Sequence, residues 1–138
     1  MSGVLLDTNV ISEITRARPN GNVIGFLEVL VDGFVSVLTI HELDFGIRRL
    51  PLGKRRNALQ QSIAEFLNVF ENRVLAIGRP EALRAAELRY NAEKSGVTLH
   101  LADALIAATA LEHDLILATR NLSDFDALPV ATVNPWDG

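Results

Sequence analysis

The chain contains no cysteine. That absence excludes a disulfide framework and any thiolate-bound metal, and it fits a reducing compartment. Proline is scarce, with 5 among 138 residues, and no stretch rich in proline, glycine or serine divides the chain. Internal repeats and low-complexity segments are missing as well. The opening MSGVLLD lacks a basic segment and holds only three consecutive apolar residues, so no signal peptide is expected. The most apolar later stretch, ALIAATALEHDLILA, is interrupted by Thr109, Glu112, His113 and Asp114. It is too short and too charged to span a bilayer. These absences lead us to expect one domain over residues 1–138, soluble and cytoplasmic, with no membrane association.

What is present is a globular composition. Hydrophobic residues reach 49% and charged residues 22%, enough apolar surface for a real core and too little charge for a disordered chain. The formal net charge of −4 argues against a coat that binds nucleic acid through overall basicity. It leaves room for nucleic acid where acids converge on a metal. The basic residues are also unevenly spread: RRLPLGKRR gathers Arg48, Arg49, Lys54, Arg55 and Arg56 within nine residues.

Short apolar, β-branched runs recur at 3–6, 34–37, 73–77, 115–119 and 130–133. Each is too short for a helix and suits a strand buried on both faces. Helical patterns fill most of the intervals, at 7–16, 22–32, 39–50, 54–70, 79–96 and 99–114. Pro80 sits in a plausible first turn with Glu81 beside it, and Gly96 closes that helix. In the 54–70 segment Leu59, Ile63, Phe66, Leu67 and Phe70 form one stripe at helical spacing, which reads as core. Alternating strands and helices predict an α/β fold: a parallel sheet with helices on both faces.

In such a sheet, ligands bind outside the carboxyl ends of the strands. Asp7 follows the first strand directly. Thr39 and then Glu42 follow the second, and Thr119, Arg120, Asn121 and Asp124 follow the fourth. Asp103 lies near the start of the helix leading into that fourth strand, among Ala102, Ala104, Ala107, Ala108 and Ala110. Each acid alone has an ordinary use, as a helix cap, a first-turn acid or a turn residue. Together they would crowd one edge of the sheet, where carboxylates repel and a cation must compensate. A hard divalent ion with oxygen ligands, magnesium or manganese, meets that need. Thr8, Asn9, Ser12, Thr119 and Asn121 are placed to orient the acids or their waters. Such an ion polarises a phosphoryl oxygen and lowers the pKa of a water for in-line attack. His41, His100 and His113 are too scattered to supply a nucleophile.

Four segments in order, LLDTNVISE, TIHELDFGI, LADALIAATA and ATRNLSDF, resemble the PIN-domain ribonucleases, and more closely the VapC and FitB-like toxins of toxin–antitoxin systems. The resemblance implies a three-layer α/β/α domain with a parallel sheet of four or five strands, and a magnesium- or manganese-dependent endoribonuclease, usually a homodimer. It implies an RNA substrate, often tRNA or ribosomal RNA, whose cleavage arrests translation. It also implies a VapB-like antitoxin that blocks the site and through which alone the pair reaches DNA. Asp7, Glu42 and Asp103 match the three core acids. Asn121 stands where many relatives carry Asp or Asn, with a further acid a little downstream. Either Asn121 completes the site as a neutral amide, or Asp124 supplies the fourth catalytic charge and joins Asp7 and Asp103 as a metal ligand. Thr119 matches a hydroxyl position lining the pocket. Arg48, Arg49, Lys54, Arg55, Arg56 and Arg120 become candidates for RNA phosphates, or for the antitoxin or second subunit.

Two other families also place an aspartate after the first strand. A haloacid-dehalogenase-like phosphatase needs a second aspartate where Asn9 stands, and a receiver domain needs a late lysine, whereas Lys94 is the last. A nuclease acting on DNA would use the same acids, so RNA as substrate rests on the resemblance. A non-catalytic PIN-fold binding module would carry the same fold but show no metal-dependent cleavage and no toxicity when expressed alone.

Overall fold

The computed structural model describes residues 3–138; Met1 and Ser2, at the start of the stretch read above as lacking a leader, lie outside the described residues. Five strands, β1 (Val4–Leu6), β2 (Gly33–Ser36), β3 (Val74–Leu75), β4 (Ile116–Ala118) and β5 (Thr132–Val133), form one parallel sheet in the order β3-β2-β1-β4-β5. Six helices connect them: α1 (Thr8–Glu13), α2 (Gly21–Glu28), α3 (Val37–Arg48), α4 (Lys54–Val69), α5 (Arg79–Lys94) and α6 (Leu101–Glu112). The α/β expectation holds, with five strands.

Side chains alternate across a strand, and β1 uses both faces. Leu5 packs with Ala85 and Leu88 of α5 and with the alanines of α6. Val4 and Leu6 point the other way, toward Val10, Ile11, Val23, Leu43, Ile47 and Ile63 on α1 to α4. Helices therefore cover both faces, and β1 lies at the centre of three layers. Leu5 and Leu6 are fully buried, each contributing about 1.5–3 kcal/mol by leaving water. The stripe on α4 behaves as read: Ile63 and Phe70 are buried, while Leu59, Phe66 and Leu67 pack partly against the same core.

Local chemistry sets several boundaries. Asn20 caps α2 by accepting the N–H groups of Asn22 (2.9 Å) and Val23 (3.3 Å). Glu81 reaches back to the Gly78 N–H at 2.7 Å, so α5 starts at Arg79–Pro80 as expected. Gly96, with φ +77°, ends it.

The structure departs from expectation at other ends. The second strand stops at Ser36, whose hydroxyl accepts the Leu38 N–H at 3.0 Å, so exposed Val37 opens α3. α1 ends at Glu13 because the next residues tighten into i to i−3 bonds, Ile14 to Ile11 and Thr15 to Ser12. α2 ends at Glu28, and Val29 and Val31, read as helical, face solvent. Only Val74 and Leu75 of the 73–77 run pair with a neighbour.

Candidate active site

The strand order reverses at β1: the chain steps outward through β2 to β3, then returns to lay β4 on the opposite side of β1. A crevice opens at such a reversal, outside the carboxyl ends. Leu6 pairs with Ala118, so the next residues, Asp7 and Thr119, leave the sheet side by side. The Asp7 N–H donates to the Ala118 carbonyl at 2.9 Å, extending the ladder to the site itself.

The two oxygens of Asp7 have separate partners. Oδ1 accepts the Thr8 N–H at 2.8 Å and caps α1. Oδ2 accepts the Thr119 hydroxyl at 2.8 Å and the Asn9 amide at 3.4 Å. Thr119 is fully buried, and its oxygen also accepts the Asn121 N–H at 3.1 Å. Asn9 Oδ1 accepts the Arg120 N–H at 3.3 Å, tying the loop after β4 to α1. Burial pushes the Asp7 carboxyl above its usual range, and the nearby Glu42 adds to it, against the Thr119, Thr8 and Asn9 hydrogen bonds.

Glu42 projects from α3, where its Oε1 accepts the Thr8 hydroxyl at 2.5 Å. The same hydroxyl lies 3.2 Å from that of Thr39, which is fully buried. Asp103 stands in the first turn of α6. Its carboxyl is also raised, by burial first, then by the charges of Asp124, Asp7 and Glu42, with His100 opposing. The other three acids therefore lie within electrostatic reach of Asp103.

They do not share one cavity. Asp7, Glu42 and Asp103 line a cleft of about 500 Å³ together with Thr8, Asn9, Ser12 and Asn121. Asp124 lines the adjoining cavity, and Asp103 forms the wall common to both. The single-turn helix Leu122–Asp124 directs this: Phe125, almost fully buried, pulls the turn into the core and carries Asp124 past the cleft.

The basic residues are similarly divided. Arg120 lines the cleft, its guanidinium 5.0 Å above the ring of Trp136. Arg55 lines a smaller groove, of about 200 Å³, that shares Ser12 and Glu42 with the cleft. Arg48 is engaged by Asp44 at 2.6 Å, and Arg49 stacks over Phe45. Lys54 and Arg56 sit in the first turn of α4, away from the acids' lining.

Three cleft residues carried no signal that singled them out. Trp136 lies beyond the last strand, and Arg16 beyond the short α1. Glu13 is buried because its carboxylate accepts the Asn20 N–H at 2.8 Å and meets Arg16 at 3.5 Å. It braces the loop to α2. Thr39 was noticed as following the second strand, but its bond to Thr8 depends on how α3 packs against α1.

Among the described residues, no three acidic, histidine or cysteine side chains are grouped closely enough to hold a metal ion unaided. No ion pair reaches Asp7, Glu42, Asp103 or Asp124 within the same residues. The donor chemistry fits magnesium, which keeps several waters and takes only one or two carboxylates. Asp7 and Asp103, oxygen donors of the one cleft whose carboxyls are both raised by burial and then by neighbouring acids (Glu42 for Asp7; Asp124, Asp7 and Glu42 for Asp103), are the pair that would hold it.

The chain matches the PIN domain family over residues 4–130. It belongs to the PIN-domain family. The Toxin FitB of Neisseria gonorrhoeae is 40% identical over 136 residues, spanning 96% of this chain and 98% of that protein. The VapC ribonuclease Y4jK of Sinorhizobium fredii is 36% identical, spanning 97% and 98%. The crystal structure of FitAcB from Neisseria gonorrhoeae superposes with a TM-score of 0.92 at 40% identity, covering 98% of this chain and 99% of that one. A structure of FitAB bound to a DNA fragment gives the same TM-score at 38% identity, covering 98% and 96%.

Two predictions arise from the site of this PIN domain. Thr119→Val keeps the side-chain volume but removes the donor to Asp7 and the acceptor for Asn9 and Asn121. We expect the affinity of the cleft for magnesium to fall roughly 10- to 100-fold, the range seen when a ligand's supporting partner is lost, and the orphaned Asp7 oxygen and Asn121 N–H to cost about 1–3 kcal/mol of stability. Unchanged magnesium binding would mean that Asp7 needs no such support.

The second concerns pH. The folded state holds a proton on Asp103 more readily than the unfolded chain does. The resulting stabilisation is full below the ordinary carboxylate range and is lost as pH rises through the raised pKa. Asp103→Asn removes the repelled charge. The metal-free variant should therefore melt above the wild type at pH 7 to 8, and the gap should close toward pH 4. Melting curves in chelator check this, and parallel curves at all pH values would contradict it.

Proposed function

We propose that this PIN domain, one nuclease unit over residues 1–138, is the toxin of a toxin–antitoxin pair: a metal-dependent endoribonuclease acting on tRNA or ribosomal RNA in the cytoplasm, so inhibiting translation. The observation that carries the reading is the placement of Asp7, Glu42 and Asp103 around one cleft at the β1–β4 edge, with Asp7 fixed by Thr8, Asn9 and Thr119. Relatives named as a toxin and as a ribonuclease, matched along nearly their whole length, support it.

In this reading Asp7 and Asp103 hold the cation, magnesium or manganese, and Asp124 adds charge from behind Asp103. When bound, the ion would polarise a phosphoryl oxygen and acidify a water. Glu42, oriented by the Thr8 hydroxyl, faces the cleft as the base that accepts a proton from the attacking water. Arg120, anchored on Trp136, receives a phosphate of the strand and offsets the negative pocket. Arg55 extends that path along the neighbouring groove, and the other basic residues near α4 serve the rest of the strand or a protein partner. A VapB-like antitoxin would occlude the cleft, and DNA would be reached only through that partner; a homodimer is the working assembly. Among the described residues no helix is long and apolar enough to cross a membrane.

The test is cleavage of purified bulk tRNA and ribosomal RNA with magnesium, with manganese and with chelator, beside expression of the chain alone in cells. We expect metal-dependent fragments and growth arrest. A chelator-insensitive background from a protein that is also harmless would overturn the proposal and leave a non-catalytic module.

A further inference from the structure

The cavity on the far side of Asp103 lies outside the cleft and opens beside the same carboxylate. Its volume is about 420 Å³, within the usual range of small-ligand sites. α5, the loop before α6, and the loop after Asp124 enclose it. Leu88, Leu99 and Leu128 supply apolar walls that belong to the packed core, so the shape is preformed. The polar groups stand on its lining: Glu87 and Asn91 on α5, Ser123 and Asp124 opposite.

That combination excludes some ligands. No lysine or arginine lines the cavity, and Glu87, Asp103 and Asp124 outnumber its single imidazole, His100, so a phosphate would meet net repulsion there. Carboxylates are pure acceptors when ionised, so they favour a flat, largely apolar group carrying N–H donors. An unstacked nucleobase bearing an exocyclic amine has that chemistry, and a carboxylate accepts from the cytosine amine in known base readout. Uracil would set its two carbonyls against the same acids.

We propose that this cavity is a base-recognition subsite, taking an unpaired amino-bearing nucleobase, guanine foremost, from the nucleotide next to the scissile phosphate. Guanine presents two adjacent donors on its pairing edge, which Glu87 or Asp124 can accept together, while Leu88 and Leu99 cover its faces. The shared wall at Asp103 sets the spacing: a phosphate in the cleft leaves the adjoining base at the cavity mouth. Asp124 thereby gains a role in choosing the substrate. The inference rests on the ribonuclease reading for its substrate, but binding can be measured without cleavage.

The experiment uses the Asp7→Asn protein in magnesium and short oligouridine strands carrying one G, A or C. Trp136, the single tryptophan, lines the cleft and gives an intrinsic fluorescence signal for strand binding. We expect the G-containing strand to bind at least tenfold more tightly than oligouridine. In an Asp7→Asn background, Ala127→Phe, which fills the cavity from an exposed position, should abolish that difference, and Glu87→Gln should reduce it. Ser123→Leu serves as a second filler should Ala127→Phe fail to fold.

Equal affinity for all strands, no binding, or discrimination that survives a folded filler would overturn the proposal. A filler that leaves discrimination intact but changes the sedimentation of the protein would also overturn it, assigning the cavity to a subunit contact. Discrimination without any cleavage by the wild type would uphold the subsite and sink the nuclease reading; cleavage without discrimination would do the reverse.

Discussion

Asp7→Asn, purified as a folded protein, is expected to cut RNA roughly a thousandfold more slowly than the wild type in magnesium, a loss of about 4 kcal/mol of transition-state stabilisation. The substitution is nearly isosteric. The amide oxygen can still accept the Thr8 N–H that caps α1, so the fold has little reason to change. What disappears is the charge. The amide nitrogen would face the Thr119 hydroxyl and Asn9 amide, two groups now arranged to donate to a carboxylate. Asp103→Asn should lose a similar amount, because Asp103 is the other donor on the opposite wall. The double variant should be no worse than either single one, since a cation held by two carboxylates is lost with the first. Single-turnover cleavage of one defined RNA would measure this. Retention of more than a tenth of the wild-type rate by a folded Asp7→Asn protein would remove Asp7 from the catalytic centre.

Phe125→Ala should produce the largest loss of stability. Phe125 is 1% exposed and heads the fully buried side chains by volume. It packs in the core layer of Leu5, Leu88 and Leu117, the one fully buried side chain at the single-turn helix that follows β4. Removing the ring should cost about 3–5 kcal/mol, or a melting temperature lower by about 10–17 °C. Function should suffer beyond stability, because the same residue anchors the turn after β4. Arg120, Asn121 and Asp124 all depend on that turn for direction. The protein that remains folded at 20 °C should show a raised KM for RNA with kcat less affected. A thermal shift of only 1–2 °C would mean that the loop holds itself without the ring.

Much of this could be read along the chain. The succession of short β-branched runs and helical patterns was enough for a parallel α/β sheet, since periods of 2 and 3.6 and their alternation are local properties. Pro80, Glu81 and Gly96 marked the ends of α5 for equally local reasons. The rule that ligands gather at carboxyl ends of strands turned Asp7, Glu42 and Thr119 into candidates before any contact was known. Where local capping overrode apolar pattern, the reading slipped: Ser36 turned Val37 from strand into helix, and α1 closed after Glu13.

The amino-acid sequence by itself determined the fold class, the order of elements and the identity of the acids, because hydrophobic period, caps and turn residues act over a few positions. Only the tertiary structure decided that β4 lies beside β1, so that the Thr119 hydroxyl meets Asp7, 112 residues away in the chain. It alone turned Asp124 into the neighbouring cavity and brought Arg16 and Trp136 to the rim of the cleft. Strand pairing and the anchoring of a loop by one buried ring join residues distant along the chain. Their energies come from surface buried between elements, and no local pattern records which surfaces will meet.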